Sequence, residues 1–425
     1  MNIQTTNRST AAEAALIEAY TAQVGELPGN GAVAGTRDRL LDDLKNSGLP
    51  TRRIEAWHYT DLRTLMRTIP APVAAAPSLE VIDPLVEGAQ VLPVRQGAAD
   101  GGVSIEGVAV SSFVDALLDG SAVAGLTALG SDDAIGRINS SLVRDGYQIA
   151  VPAGAVVEAP IELQILHGAG QVHTRFPVTF GAGSKATVIE RHRSLAGEAA
   201  LISSISEVTL EDGAEAVWII LQEQGTEDIH LGQIRVKLGT DAKLRLFVIN
   251  AGGKLVRQEL RINVDGEGSE LMLRGVNLLG QETHTDVTLV LGHNVPNTNS
   301  TETFRNVVFD RAKGVFQGMI RVAPDAQKTD AKMACNTLLL TDDGEFSVKP
   351  ELEIFADDVI CGHGATVSDI DKNHLYYLQS RGIPEKTARA MLVNAFVAEV
   401  VEELEEEKLV EALEGVISAW LEKHA

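Results

Sequence analysis

Cysteine is almost absent from this chain: Cys335 and Cys361 are the two thiols in 425 residues. Two are too few for a disulfide framework, and too few to hold a metal cluster by four thiolates from one subunit. Any metal site must therefore draw on histidine, on carboxylate or on another chain. Positive charge is scarce as well, with 36 Lys and Arg against 59 Asp and Glu, a formal charge of −23. That field repels phosphate backbones and anionic headgroups, which argues against nucleic acid or a membrane surface as the main partner. No run approaches the roughly 18 uninterrupted apolar residues of a membrane span. The first residues, MNIQTTNRSTAAEAAL, lack both the basic start and the apolar core of a signal peptide, so a cytoplasmic protein is expected. Missing too are G-x-x-x-x-G-K-[ST], a G-x-G-x-x-G opening a helix, H-E-x-x-H and G-x-S-x-G. Without them nucleotide hydrolysis, dinucleotide redox chemistry and the standard hydrolases lack their machinery.

What is present is an ordinary globular composition, 44% hydrophobic and 22% charged, long enough for two or three domains and a large core. Residues 11–66 read as helical, with apolar positions at helical spacing in AAEAALIEAYTAQ and TRDRLLDDLKNSG and a loop at LPGNGAVAG. The prolines of Pro70 to Pro77 mark a linker, so residues 1–79 form a helical domain and linker. Residues 80–145 read as a small mixed α/β region with a short helix in SSFVDALLDG. From Val151, runs such as KATVIERH, AEAVWIILQ, AKLRLFVIN and SELMLRGV alternate with period two, the pattern of strands. Turn clusters at Glu211-Asp212-Gly213, Gly239-Thr240-Asp241 and Asp265-Gly266-Glu267-Gly268 recur about 26 to 28 residues apart, with another at Thr341-Asp342-Asp343-Gly344. That spacing suits one coil of a β-solenoid and equally a series of antiparallel hairpins. The strand-rich core spans 146–368. Helices return over 369–425, where Met391, Leu392, Ala395, Phe396 and Val400 form one apolar stripe and Leu409, Leu413, Ile417, Trp420 and Leu421 a second. Their expected task is to cover an open end of a sheet, with partner docking as an alternative.

The chemistry-bearing segment is Glu351 to His363, ELEIFADDVICGH. Taken as one strand, it places Leu352, Ile354, Ala356 and Ile360 on an apolar face and Glu353, Asp357, Cys361 and His363 on the other, less buried one. Gly362 and Gly364 would leave room beside the pair. Thiolate and imidazole are good ligands for iron or zinc, and two on one strand make half of a four-coordinate site. The bland alternative is a buried-edge cysteine beside a hydrogen-bonded histidine. His284 and Asp286, with His293 nearby, form another ligand-like set, for which outward-facing polar residues are the simpler reading. Cys335 reads as a small buried hydrophobe; His192 and His230 have no partner spacing.

Several long segments together resemble one family. ELEIFADDVICGHGATVSDID, LYYLQSRGI and GVFQGMIRVAPDAQKTDAKMACNTLLLTDD are similar to the carboxy-terminal half of the SufB/SufD family, DGYQIAVPAGAVVEAPIEL (145–163) to its approach to the core, and RRIEAWHYTDL (52–62) to the entry motif of its SufD branch. A Cys-Gly-His-Gly-Ala-Thr stretch where SufB has a His-Glu-Ala pattern, and the lack of SufB's cysteine-bearing amino-terminal region, also favour SufD. The resemblance implies a mainly β fold with flanking α: a right-handed parallel β-helix between amino- and carboxy-terminal helical domains. It further implies a non-catalytic subunit working with a SufB-like subunit and a SufC-like ATPase on a nascent iron–sulfur cluster. His363, with Cys361 beside it, would then lie at the SufB interface and help to hold iron or sulfide, with a reduced flavin as another ligand to consider. The helices around Phe396 and Leu413 would dock the ATPase, and the isolated chain could pair as a homodimer. Two other readings compete. One is a structural partner that activates the ATPase without holding metal; the other is a β-helix carbohydrate-active enzyme using Glu351 and Glu353, which share a strand face rather than flanking a bond.

Overall fold

The computed structural model describes residues 9–73, 79–195 and 197–424. The start of the chain and the second half of the expected linker, within residues 74–78, lie outside the described residues, while Pro70 to Val73 run without helix or strand. Among the described residues no helix is long and apolar enough to cross a membrane.

The alternating runs form strands, and their pairing settles what their spacing left open. Successive strands fall alternately into a ten-stranded and a nine-stranded sheet. Beyond the antiparallel starts at Val94↔Ala99 and Ala109↔Ala150, neighbours pair in parallel, as in Leu201↔Ile229↔Leu255↔His284. Each coil thus adds one rung to each sheet, giving a parallel β-solenoid; hairpins are excluded because neighbours run the same way. The first rung comes from Gln90–Arg95, upstream of the alternating region, pairing with Ile161–His167.

The turn clusters have a geometric cause. One corner of the solenoid needs a left-handed residue in every coil, supplied by Gly183, Gly213, Asp241, Gly268, Asn297 and Lys328 at φ between 52° and 76°. Each donates its N–H to a carbonyl of the next coil, Gly213 to Thr240 at 2.7 Å and Asp241 to Glu267 at 2.8 Å among them. Gly, Asn and Asp tolerate this conformation, whereas a lysine does not. Lys328→Gly is therefore expected to raise stability by up to about 1 kcal/mol, read as a higher midpoint of thermal unfolding. The exposed Lys328–Asp358 pair that it removes is worth little.

Inside the solenoid, Leu163, Trp218, Leu246, Leu273, Phe304 and Phe316 share one apolar core. A column of amides runs along it: Asn250 donates to Asn277 and Asn277 to Asn306, each at 2.7 Å. The ladder ends where Asn306 Nδ2 donates to Thr337 Oγ1 at 3.1 Å and faces Cys335 Sγ at 3.3 Å.

Both outer faces are covered, which is why many strands read as buried at every position. Helices α1 (Ala11–Gln23), α2 (Gly31–Ser47), α3 (Leu62–Leu65), α4 (Phe113–Asp119) and α5 (Ala134–Leu142) lie on the amino-terminal side. From these, Leu16, Leu41, Ile135 and Ile138 pack with Trp57 on Leu201, Ile205 and Leu231 of the nine-stranded sheet. The expected loop LPGNGAVAG is shorter than its composition suggested, because Asn30 accepts the N–H groups of Ala32 and Val33 and starts α2 at once. Helices α6 (Lys372–Ser380), α7 (Glu385–Val401) and α8 (Glu407–His424) follow the solenoid. They cover the outer face of the ten-stranded sheet instead of an open end, setting Val393, Val397, Leu409, Leu413 and Ile417 against Ile219, Phe247, Val276 and Val307. In α7 the buried stripe is Val393, Val397 and Val400; Met391 of the expected stripe faces outward.

Candidate functional site

The segment 351–363 is not one strand. Glu345–Ile354 ends the nine-stranded sheet, a corner follows, and Ile360–Ser368 ends the ten-stranded sheet. The corner breaks the parity on which the single-strand reading relied. Leu352 and Cys361 both pack toward the solenoid interior, Glu353 turns outward to Arg321 at 3.8 Å, and Ile360, expected to be buried, is 66% exposed.

Cys361 and His363 do share a face, and it is the inner one. Their Cα partners are Ala331 and Met333, both members of the interior core. His363 is exposed and Cys361 half-buried because, among the described residues, no further coil covers them. Gly362 and Gly364 alternate onto the opposite side, where a Cβ would meet nothing within 4 Å. Burial raises the Cys361 thiol, with the Asp330 and Glu302 carboxylates adding to it and a hydrogen bond at Ala331 opposing it. The free chain therefore keeps this thiol protonated at neutral pH, and a bound metal must displace the proton.

This end of the solenoid is open in a second sense. Among the described residues both terminal strands lack an outer neighbour, so two rows of backbone donors and acceptors face outward at one place. Ile354, Phe355, Ile360 and Val367 are exposed around them. At the opposite end the edges are the short strands of the two antiparallel pairs, Ala98–Ala99 and Ala109–Ser112. Solenoids ordinarily cap their ends with polar surface, which these exposed apolar side chains do not provide.

The other expected ligands are structural. His284 and Asp286 stand together on the outer face of their strand, but the amino-terminal segment buries them. Thr60 Oγ1 hydrogen-bonds His284 Nε2 at 2.9 Å and also Asp286, while Asp286 takes Arg257 at 2.5 Å. His293 bonds Thr298 at 2.8 Å and Ser300 at 3.1 Å. Cys335 is buried, and desolvation pushes its thiol up to about 12. His192 and His230 stack edge-to-face at 4.8 Å in the interior, with Glu190 2.8 Å from His192 Nε2. Among the described residues no three His, Cys, Asp or Glu side chains are already gathered around one point, so any metal site here must form as side chains move or a partner binds.

The 52–62 motif acts as a clamp across several coils. The Trp57 ring lies under the Arg257 guanidinium at 4.3 Å, the Ala56 carbonyl accepts from Arg257 at 2.9 Å and from Gln317 at 3.3 Å, and Glu55 pairs with Lys349 at 2.6 Å. Of the two residues expected at a docking surface, Phe396 is half-buried with the Arg305 guanidinium 5.2 Å from its ring centre. Leu413 is fully buried against the solenoid and presents no surface of its own.

One residue escaped the sequence reading. Glu302 faces the interior, is 0% exposed, and neither of its oxygens has a hydrogen-bond partner among the described residues. Burial pushes its carboxyl up to about 8, although Ser300 and Arg274 act in the opposite direction. The signal was present in NSTETFRNVV, where Glu302 shares parity with Phe304 and Asn306.

Residues 165–396 match the family profile described as SUF system FeS cluster assembly, SufBD core domain. The chain is 31% identical over 386 residues to the iron-sulfur cluster assembly protein SufD of Escherichia coli, covering 87% of this chain and 88% of that protein. It is 27% identical over 392 residues to protein ABCI7, chloroplastic, of Arabidopsis thaliana, covering 86% and 81%. A SufBD family protein of Synechocystis is 24% identical over 418 residues, covering 88% and 89%.

Proposed function

Because this chain belongs to the SufB/SufD family of iron–sulfur cluster assembly proteins, we propose that it is a SufD-type scaffold subunit without catalytic chemistry of its own, offering its bare solenoid end to a SufB-like partner. The observation that carries the reading is the coincidence at that end: unpaired edges of both sheets, exposed apolar side chains, and Cys361 and His363 in one place. A second solenoid adding its own edge there would continue the backbone ladders and bury Ile354, Phe355, Ile360 and Val367. The same contact would supply the ligands that this chain lacks, since a thiol and an imidazole make only half of a four-coordinate site. The nascent iron–sulfur cluster is then cargo shared between subunits, with His363 as the exposed ligand and Cys361 beside it. A SufC-like ATPase would meet the helical face of α7 and α8, Phe396 contributing its exposed edge and Leu413 support from beneath. An unpartnered chain could pair its edges with a second copy, because the same surface is available on both.

The test is co-expression with SufB- and SufC-like subunits followed by iron and sulfide analysis. His363→Ala is expected to leave the complex assembled and to lower bound iron and sulfide by at least about tenfold, the scale on which even outer-sphere changes act at metal sites. Wild-type iron content would sink the site assignment. Unchanged iron in the Cys361→Ser/His363→Ala double variant, with ATPase stimulation intact, would point instead to a purely structural activator.

A further inference from the structure

The geometry points to Glu302 as an inner oxygen donor of the site at the open solenoid end, where with Cys361 and His363 it would hold a divalent transition-metal ion in a sulfur, nitrogen and oxygen set. This rests on the reading of Cys361 and His363 just given, and goes beyond it by placing a ligand inside the solenoid. Glu302, Met333 and His363 are successive Cα partners on three adjacent strands, all facing inward; Ser300, Ala331 and Cys361 form the neighbouring column. Glu302 and His363 are separated by two strand spacings, about 9.6 Å, a gap that a glutamate from one side and an imidazole from the other can close around an ion.

Glu302 calls for such a partner. A fully buried carboxyl with no hydrogen bond is a costly arrangement, and here both oxygens lack one. The Ser300 hydroxyl lies 3.1 Å from His293 Nε2 and favours the charged Glu302 carboxylate without outweighing burial. Between the two donors lies Met333, which fills the space left by Gly318 across the interior. Methionine is an adaptable packer and can turn aside. His363 sits on a terminal strand with an open side and is free to rotate inward. As the ion binds, Cys361 and Glu302 each release a proton to solvent and coordinate as thiolate and carboxylate.

The experiment uses the full chain, reduced and oxygen-free, titrated with Co²⁺ alone, reading thiolate-to-cobalt charge transfer and d–d absorption. Unmodified protein is expected to show both. Glu302→Gln, which keeps shape and burial, is expected to weaken binding at least tenfold and shift the d–d bands, with a thermal midpoint equal to or above that of the parent. A Glu302→Gln protein that binds Co²⁺ like the parent overturns the inference. If His363→Ala also binds normally, the reading beneath it fails as well; if His363→Ala alone loses binding, that reading stands and only Glu302 falls. Absence of any cobalt spectrum from the unmodified chain likewise overturns the inference.

Discussion

Replacing Arg257 by leucine is expected to destabilise the protein by about 3–5 kcal/mol, the range for removing one partner from a buried ionic network, and to loosen the amino-terminal helices from the solenoid. The guanidinium is fully buried, 2.5 Å from Asp286 and 3.1 Å from Glu259, with the Ala56 carbonyl at 2.9 Å and the Trp57 ring beneath it. Leucine fills part of the volume but leaves two carboxylates facing each other across it. Glu259 keeps Arg261 at 3.1 Å and Gln233 at 2.9 Å, whereas Asp286 is left with the hydroxyls of Thr60 and Thr288. Arg257→Lys should recover only part of the loss, since an ammonium lacks the planar fork that meets both acids and the ring. The checks are urea denaturation and amide exchange over residues 52–66. A change below about 1 kcal/mol, the scale expected for an exposed pair such as Arg311–Glu282, would show that the clamp does not depend on this charge.

Between pH 6 and pH 4.5 the protein is expected to lose about 4 kcal/mol of stability. Burial lowers His167 and His293 to about 4 and His173 to about 3, and holds His230 well below its ordinary 6.5. The neighbouring imidazoles lower His167 and His230 further, and Arg144 and Arg37 lower His173. An unfolded chain protonates all four near 6.5 while the folded chain does not, so acid favours unfolding until the folded values are reached. Two carboxyls oppose this: burial raises Glu302 to about 8 and Asp228 to about 6, so in this window the folded state keeps their protons better. The four imidazoles against two carboxyls leave a net difference of about two protons, or about 2.7 kcal/mol per pH unit, and His284, which burial also lowers, adds in the same direction. Urea midpoints measured at pH 7.5, 6 and 4.5 test it. His293→Gln should reduce the slope by about 1.4 kcal/mol per pH unit, and a flat profile over the window would mean that these rings are hydrated.

Much of the solenoid was legible in one dimension. Alternating runs such as AEAVWIILQ and AKLRLFVIN are strands because period-two patterning places one set of side chains in a core. The turn clusters marked coils because every coil repeats one left-handed corner, at Gly213, Asp241 and Gly268. Parallel pairing was not legible, because 26 to 28 residues close a coil or two hairpins equally well. The faces of the strands were harder still. Helices on both sides bury inner and outer residues alike, so polarity did not separate them; Glu302 drew no notice, and the His284–Asp286 pair read as outward-facing polar residues. Around Cys361 the failure was specific. Parity was carried through Phe355 to Val359, where the chain turns a corner between sheets, and the predicted face was reversed.

Residue order along the chain was enough to establish the strand-rich core, the helical ends, the scarcity of thiols that rules out a four-thiolate cluster in this subunit alone, and the pairing of Cys361 with His363 on one side of a strand. Those follow from local periodicity and from counting, and both are carried by sequence. Which side that is, what lies beneath it and why it is exposed depended on three dimensions. The side is set by a corner between two sheets, the exposure by the absence of another coil, and the buried carboxyl at Glu302 by a register that joins residues about 30 apart. Contacts between coils are nonlocal, and no window along the chain contains them.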